Sequence, residues 1–325
     1  MPCTETVESS AGNKHIDTRA RRHLPYEYVR ERERVRMALW RHDAPRPRAQ
    51  TPHKGEIRRI RLARQRRVPN AKPILPNGWV FDRNEGSHME IIPVRTRLFH
   101  PGEPLVPFVR EHIPVLHSGD VLAVTSKIVA LSQQRVLAAG FDKRGAIEAE
   151  AEETVETPWC LLTRQGNDWC ANAGVDESNA DGRLVLLPAH PKEAAAAWRA
   201  ELAAAFNVPD LAVILTDTRI VPLRQGAMGM ALAWAGVEPI RDYRGQPDLF
   251  GRELKMTTAN LVHALAAAAV LAMGEGAESI PLVVIRGSGV PLRPDAAGEA
   301  GDLAVRPADD LYRFIYDPSA RFLRS

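Results

Sequence analysis

The chain has 325 residues, 45% hydrophobic and 26% charged, with 43 Lys and Arg against 40 Asp and Glu and three cysteines. That length supports one large domain or two modest ones around a substantial core, and excludes a mini-scaffold. Cys3, Cys160 and Cys170 are too few and too widely spaced for a disulfide framework or a four-cysteine zinc site, which suits packing roles in a reducing cytoplasm.

Charge divides the chain unevenly. Residues 1–88 hold 20 Lys and Arg against 10 Asp and Glu, and the rest holds 23 against 30. Runs such as Arg19-Ala20-Arg21-Arg22 and Arg58-Arg59-Ile60-Arg61, with scattered prolines, read as a disordered basic arm carrying a short helix around Tyr26 to Trp40. Such an arm could meet RNA phosphates. A wrongly assigned start or a fused leader accounts for more: Glu90 to Val94 opens an ordered domain directly after Met89, and Gly86-Ser87-His88-Met89 resembles a fusion remnant. The expected division is therefore a basic leader, 1–88, and a catalytic domain, 89–325, with nucleic acid a partner only if the leader is native.

From Met89 onward strands and helices alternate. Ile91 to Val94 reads as a strand, and Leu105, Phe108, Val109, His112 and Ile113 recur at helical spacing. Val121 to Val124 has the length and character of a buried strand, and Thr125-Ser126-Lys127 follows at its carboxyl end, where open sheets place ligands. A helix cap by Thr125 or Ser126 is the alternative use of those hydroxyls. Residues 146–156 are rich in Ala and Glu and suggest a helix; Cys160 to Thr163 and Trp169-Cys170 flank a turn, as in a hairpin.

The densest polar cluster comes next, Ala173-Gly174-Val175-Asp176-Glu177-Ser178-Asn179-Ala180, leading into a strand at Leu184 to Leu187. An Asx turn would explain it without chemistry. A helix from Pro191 to Phe206 precedes Leu211 to Leu215, a continuous apolar run expected to be buried on both faces and to end at Thr216-Asp217-Thr218. Gly226, Gly229 and Gly236 punctuate a strand with close backbone approach. The loop Arg241 to Asp248 leads to an Ala-rich helix, Thr257 to Met273, capped by Gly274-Glu275-Gly276, and Pro281 to Gly287 is the last core strand. The apolar stretch Ala259 to Met273 carries Asn260 and His263 and falls short of the about 18 residues of a membrane span.

Asp176 and Asp217 each follow apolar, strand-like sequence and each have hydroxyl neighbours, Ser178 in one cluster and Thr216 and Thr218 in the other. Hard cations take oxygen ligands, and Mg2+ or Mn2+ uses one or two carboxylates and completes its shell with water and phosphate. The ten histidines are scattered, six of them at or before His100, which disfavours zinc; His263 reads as a core histidine. The phosphate-binding G-x-x-x-x-G-K-[ST] loop, the dinucleotide G-x-G-x-x-G turn and the G-x-S-x-G hydrolase elbow do not occur.

Ala173 to Ala180, Thr216-Asp217-Thr218, Arg241 to Gly245, Asp248 to Leu254 and Met273 to Gly276, in that order, resemble the coenzyme F-420 gamma-glutamyl ligases. The resemblance covers Met89 to about Arg286 and is greatest to a bacterial branch labelled as folate-metabolism gamma-glutamate ligases. It implies a two-lobed α+β mixed-sheet fold, an intertwined homodimer, and joining of L-glutamate through its amine to a carboxyl group on a small-molecule acceptor, a phospholactyl deazaflavin or a pterin-like compound. It implies GTP or ATP as co-substrate, Mg2+ or Mn2+, and K+. Matched residue by residue, Asp176, Asp217 and Thr218 fall on metal contacts and Ser126 and Asn179 on nucleotide contacts, with Gly274 and Glu275 beside them.

Departures concern the wall around that core. Where the family commonly reads T-D-T-F-G-R-P-W-R, this chain reads Thr216-Asp217-Thr218-Arg219-Ile220-Val221-Pro222-Leu223-Arg224; a following Gln falls on Ala227 and a second lysine on Leu131. Two other readings stay open at this stage: a metal-dependent phosphoryl hydrolase, and a non-catalytic nucleotide- or cofactor-binding protein that kept the fold.

Overall fold

The structure is a computed structural model that describes residues 79–83, 87–166, 168–306 and 308–313. The chain divides into two units, Met1–Pro69 and Asn70–Ser325, and every described residue belongs to the second. The basic runs and the helix expected around Tyr26 to Trp40 lie outside the described residues.

In chain order come β1 (Trp79–Arg83), β2 (Ser87–Val94), α1 (Leu105–His112), β3 (Val121–Thr125) and α2 (Ser126–Ser132). An excursion follows through β4 (Val136–Leu137), α3 (Lys143–Glu150), β5 (Glu153–Glu156), β6 (Leu161–Gln165), β7 (Asp168–Ala171) and β8 (Leu184–Val185). The chain returns through α4 (Pro191–Phe206), β9 (Ala212–Ile220), β10 (Ala227–Val237), β11 (Ile240–Asp242), β12 (Thr258–Asn260), α5 (Leu261–Met273), β13 (Leu282–Arg286) and β14 (Leu292–Glu299).

Seven strands form one sheet in the order β1-β2-β13-β3-β9-β10-β14. Only β3 and β9 pair in parallel; the other neighbours are antiparallel. The fold is therefore α+β with a mixed sheet. β1 and the first two residues of β2 precede Met89, and β1 pairs with β2 along the sheet edge.

Alternation explains the unbroken apolar runs. Leu122, Val124, Val213 and Leu215 enter one core with Phe108 of α1 and Leu202 of α4; Val121, Ala123, Ala212 and Ile214 enter another with Val262, Leu265 and Ala269 of α5. A strand buried on both faces has no polar side to keep. At Gly229 of β10 an added Cβ would meet the Val270 side chain at 2.5 Å and the Ala266 carbonyl oxygen at 2.7 Å, so the close approach expected there brings strand and helix α5 together.

Among the expected boundaries that moved, three did so through a cap or a pairing. The helix expected over 146–156 is α3, which starts earlier because Asp142 caps the Arg144 amide, and its last residues are strand β5, where Thr154 and Val155 pair with Thr163 and Leu162. The helix expected from Thr257 starts at Leu261: Asn260 accepts the His263 amide at 2.9 Å, and Thr258 to Asn260 pair with β11 instead. The strand expected to end at Thr216-Asp217-Thr218 continues to Ile220, because 216–220 pair with β10. Asp217 thus lies within a strand, with a fixed backbone, rather than at its mouth.

Candidate functional site

The parallel register of β3 and β9, which sets Thr125 beside Thr216, brings two chemically loaded segments together at one end of the sheet. Ser126 opens α2 directly after β3, and its hydroxyl donates to Asp217 Oδ1 at 3.2 Å. The Thr125 side chain makes no capping bond to α2, so the capping role weighed for Thr125 and Ser126 is filled by neither. A cavity of about 470 Å³ opens there, and Ser126, Asp176, Asn179, Asp217, Thr218, Gly274 and Glu275 all line it.

The polar cluster reaches this cavity by a backbone that only certain residues allow. Asn172, Ala173, Gly174, Asn179, Asp181 and Gly182 all have positive φ, a region that Gly and Asn tolerate best. Gly174 is required twice over, since a Cβ there would sit 2.5 Å from the Leu187 side chain. Asp176 exchanges two backbone hydrogen bonds with Val185, at 2.9 and 2.8 Å, and accepts the Ser178 amide at 2.7 Å and its hydroxyl at 2.8 Å. The Asx turn is real, and it is also what aims the carboxylate. Asn179 donates to the Gly276 carbonyl at 3.0 Å, tying this loop to the turn after α5, where Gly274 ends the helix at φ 78°.

Both aspartates already have resident cations. Lys127 Nζ lies 2.7 Å from Asp176 Oδ2 and donates to the Ser178 carbonyl at 2.7 Å. Arg219, only 8% exposed, pairs with Asp217 and at 3.1 Å with Asp168 of β7. Burial alone would raise the Asp176 carboxyl pKa, but Lys127 and the Ser178 donors hold it below the usual carboxylate range. Burial likewise opposes the Arg219 charge, and Asp217 and Asp168 more than restore it. Glu275 goes the other way: burial, then the charges of Asp217, Glu278 and Asp176, push its carboxyl pKa up.

The donor set fits a hard divalent cation. Two fixed carboxylates, the hydroxyls of Ser126 and Ser178 and a third carboxylate destabilised by its neighbours supply oxygen chemistry, and Mg2+ needs only one or two protein carboxylates when phosphate completes its shell. Among the described residues, no three His, Cys, Asp or Glu side chains converge closely enough to make a cage from protein alone.

Sequence reasoning placed Lys127 only in the polar segment after β3, without a role, and missed Arg219 and Asp168 as members of the site. Arg219 was legible in principle: it stands two residues from Asp217, and residues i and i+2 of a strand share a face. Asp168 carried no local signal, because only the fold brings β7 to β9.

A family model described as F420-0:Gamma-glutamyl ligase matches residues 142–287. A coenzyme F420:L-glutamate ligase of Methanopyrus kandleri is 35% identical over 251 residues, which are 69% of this chain and 97% of the relative. The chain belongs to the F420-0:gamma-glutamyl ligase family. A coenzyme F420:L-glutamate ligase of Halorubrum lacusprofundi is 34% identical over 211 residues, 57% of this chain and 81% of that protein. One of Archaeoglobus fulgidus is 31% identical over 223 residues, 62% and 89% of the two chains. The five motifs that suggested this family all fall within the described residues.

Proposed function

We propose that this family member is a metal- and nucleotide-dependent ligase that forms an amide between the amine of L-glutamate and a carboxyl group of a cofactor-like acceptor, a phospholactyl deazaflavin or a pterin-like compound. The observation that carries the reading is the gathering of Ser126, Asp176, Asn179, Asp217, Thr218, Gly274 and Glu275 around one cavity large enough for phosphates and an acceptor terminus.

A carboxylate is a poor acyl donor. Transfer of the terminal phosphoryl group of GTP or ATP to it gives an acyl phosphate and the nucleoside diphosphate; the amine then attacks the acyl carbon, phosphate departs and the amine loses a proton. A divalent cation, Mg2+ or Mn2+, supplies neutralisation of charge on the phosphoryl oxygens, and K+ is a further ion of this proposal. Asp176 and Asp217 would hold the divalent ion with Thr218 beside them. Ser126 and Asn179 would orient the nucleotide, and Gly274 would let backbone approach it. Lys127, which pairs with Asp176 at the same cavity, would supply a positive charge to a phosphate there.

The reading includes a two-lobed architecture, an intertwined homodimer and a cytoplasmic setting. Leu223, Leu249, Phe250 and Met256 are 84–99% exposed on the β9–β10 turn and the β11–β12 loop, apolar surface of the kind a subunit interface covers. Among the described residues, no helix is long and apolar enough to cross a membrane.

The test is incubation of the protein with Mn2+ or Mg2+, GTP or ATP, L-glutamate and a panel of deazaflavin and pterin acceptors, read by mass spectrometry. A glutamyl increment on one acceptor with matching nucleoside diphosphate, lost in Asp176→Asn and Asp217→Asn, is the expected result. Nucleotide cleavage independent of glutamate would indicate the phosphoryl hydrolase instead; binding without turnover would indicate the binding protein.

A further inference from the structure

The two oxygens of Asp217 have different partners. Oδ1 accepts the Ser126 hydroxyl at 3.2 Å, and Ser126 lines the large cavity. Oδ2 accepts from Arg219 Nη1. Arg219 and Asp168 are absent from the lining of the large cavity, so whatever they do there they do through Asp217.

Arg219 is itself held in one plane. Nη1 donates to Asp217 and, at 3.0 Å, to the Thr218 carbonyl, while Nε and Nη2 donate to Asp168 Oδ2 at 3.3 and 3.1 Å. The backbone beneath is fixed as well: Asp217 and Arg219 pair with Met230 and Met228 of β10, and two residues apart on a strand they share a face. A buried ion triad is a weak source of stability, because apolar side chains of similar volume serve as well or better. A rigid guanidinium fork, by contrast, orients the carboxylates it touches in a way that a flexible point charge does not.

An ionised carboxylate has about four lone-pair sites, so Ser126 and Arg219 leave room on each oxygen of Asp217. They do not leave the two equal, since the Arg219 charge stands against Oδ2 and repels a second cation there. We propose that Arg219 is a positioning residue that turns Asp217 so that Oδ1 is the oxygen offered to a divalent cation, and that Asp168 anchors Arg219 from β7. The inference rests on the metal assignment within the ligase reading and adds to it a control from outside the cavity. Without Asp168 the guanidinium can turn both its edges to Asp217 and compete with the cation for Oδ1.

Titration of Mn2+ into the full chain without nucleotide, read by electron paramagnetic resonance, tests the pin, and a melting curve without metal reads stability separately. Arg219→Lys keeps the charge and loses the fork, and should weaken Mn2+ binding about tenfold. Asp168 is 39% exposed, so Asp168→Ala should fold and show a loss of the same order. Asp168→Asn keeps an oxygen for Nε and Nη2 and should stay within about threefold of wild type. Mn2+ affinity equal to or above wild type in Arg219→Lys and Asp168→Ala, whatever their melting temperatures, would reduce the triad to a structural or competing role and leave the ligase reading intact. Equal losses in Asp168→Asn and Asp168→Ala would make Asp168 a charge and overturn its anchoring. Failure of the wild-type chain to bind Mn2+ would overturn the metal assignment, and the pin with it.

Discussion

Ser126 and Asp217 stand 91 positions apart in sequence and are joined by a 3.2 Å hydrogen bond. The bond exists because β3 and β9 are the one parallel pair in the sheet, with a register that sets Thr125, the last residue of β3, beside Thr216 of β9. Antiparallel pairing would have sent these two residues to opposite ends. An otherwise antiparallel sheet thereby acquires the ligand-binding edge typical of parallel α/β folds.

From this follows a contrast between neighbours. Hydrogen bonds to charged groups are worth about 1.5–3 kcal/mol, so Ser126→Ala should weaken binding of the metal–nucleotide pair about tenfold or more. Thr125→Ala, whose hydroxyl makes no cap, should stay within about 0.5 kcal/mol of wild type. Equilibrium titration of a fluorescent GTP analogue in the presence of Mn2+ measures both, and equal losses in the two variants would contradict the assignment.

Lys127 competes with any cation for Asp176, which it approaches to 2.7 Å. Lys127→Met should therefore strengthen binding of Mn2+ alone, because a fixed carboxylate loses its internal counter-ion. The same substitution should weaken nucleotide binding, because a positive charge near the phosphates is gone. Opposite signs in the two titrations, followed by Mn2+ electron paramagnetic resonance and nucleotide fluorescence, are the expected pattern; two losses of the same sign would mean that Lys127 only maintains the loop.

Much of this arrangement could be read from the chain. Val121 to Val124 and Leu211 to Leu215 announced central strands because both faces are buried and no polar alternation remains; Pro191 to Phe206 was bounded by its own proline and its own break in pattern. Asp176 and Asp217 stood out because carboxylates beside hydroxyls follow apolar runs. What local sequence lacked was partnership. The strand read as ending at Thr216-Asp217-Thr218, yet pairing with β10 carries it to Ile220, and Thr154-Val155 left a helical composition for the same reason. Arg219 was visible as a departure from the family pattern, but its pairing with Asp168 depends on β7, which no local signal ties to β9. His263 read as a core residue and proves half-buried, at the wall of a cavity.

Glu275 gives a pH signature. Its carboxyl pKa is raised by burial and by Asp217, Glu278 and Asp176, so folding favours the protonated form. A group with a raised folded-state pKa contributes stability that is present below its unfolded value and disappears as pH rises through the folded value. At neutral pH the ionised side chain is therefore a burden that Glu275→Gln relieves. The variant should melt higher than wild type at pH 7 to 8, and the gap should close below about pH 4. A melting-temperature series across that range, in chelator to exclude divalent ions, measures it; a gap that widens toward low pH would reverse the sign and refute the argument.

The Asp120–Arg286 pair tests the scaffold apart from the chemistry. Asp120 is fully buried at the start of β3, and Arg286 at the end of β13 grips both its oxygens, at 2.9 and 2.8 Å. Asp120 also accepts the His117 amide at 2.8 Å, so the pair fixes the turn into β3 at the edge of the sheet opposite Ser126. Removing one partner of a buried pair leaves an uncompensated charge and costs about 3–5 kcal/mol. For a domain of this size that is a fall in melting temperature of roughly 10 °C. Arg286→Met should show that fall while keeping nucleotide and metal affinity at temperatures where it is folded, because β3 still delivers Ser126 to Asp217. Loss of nucleotide binding in the folded variant would mean that the pair positions the site through β3 rather than only holding the sheet together.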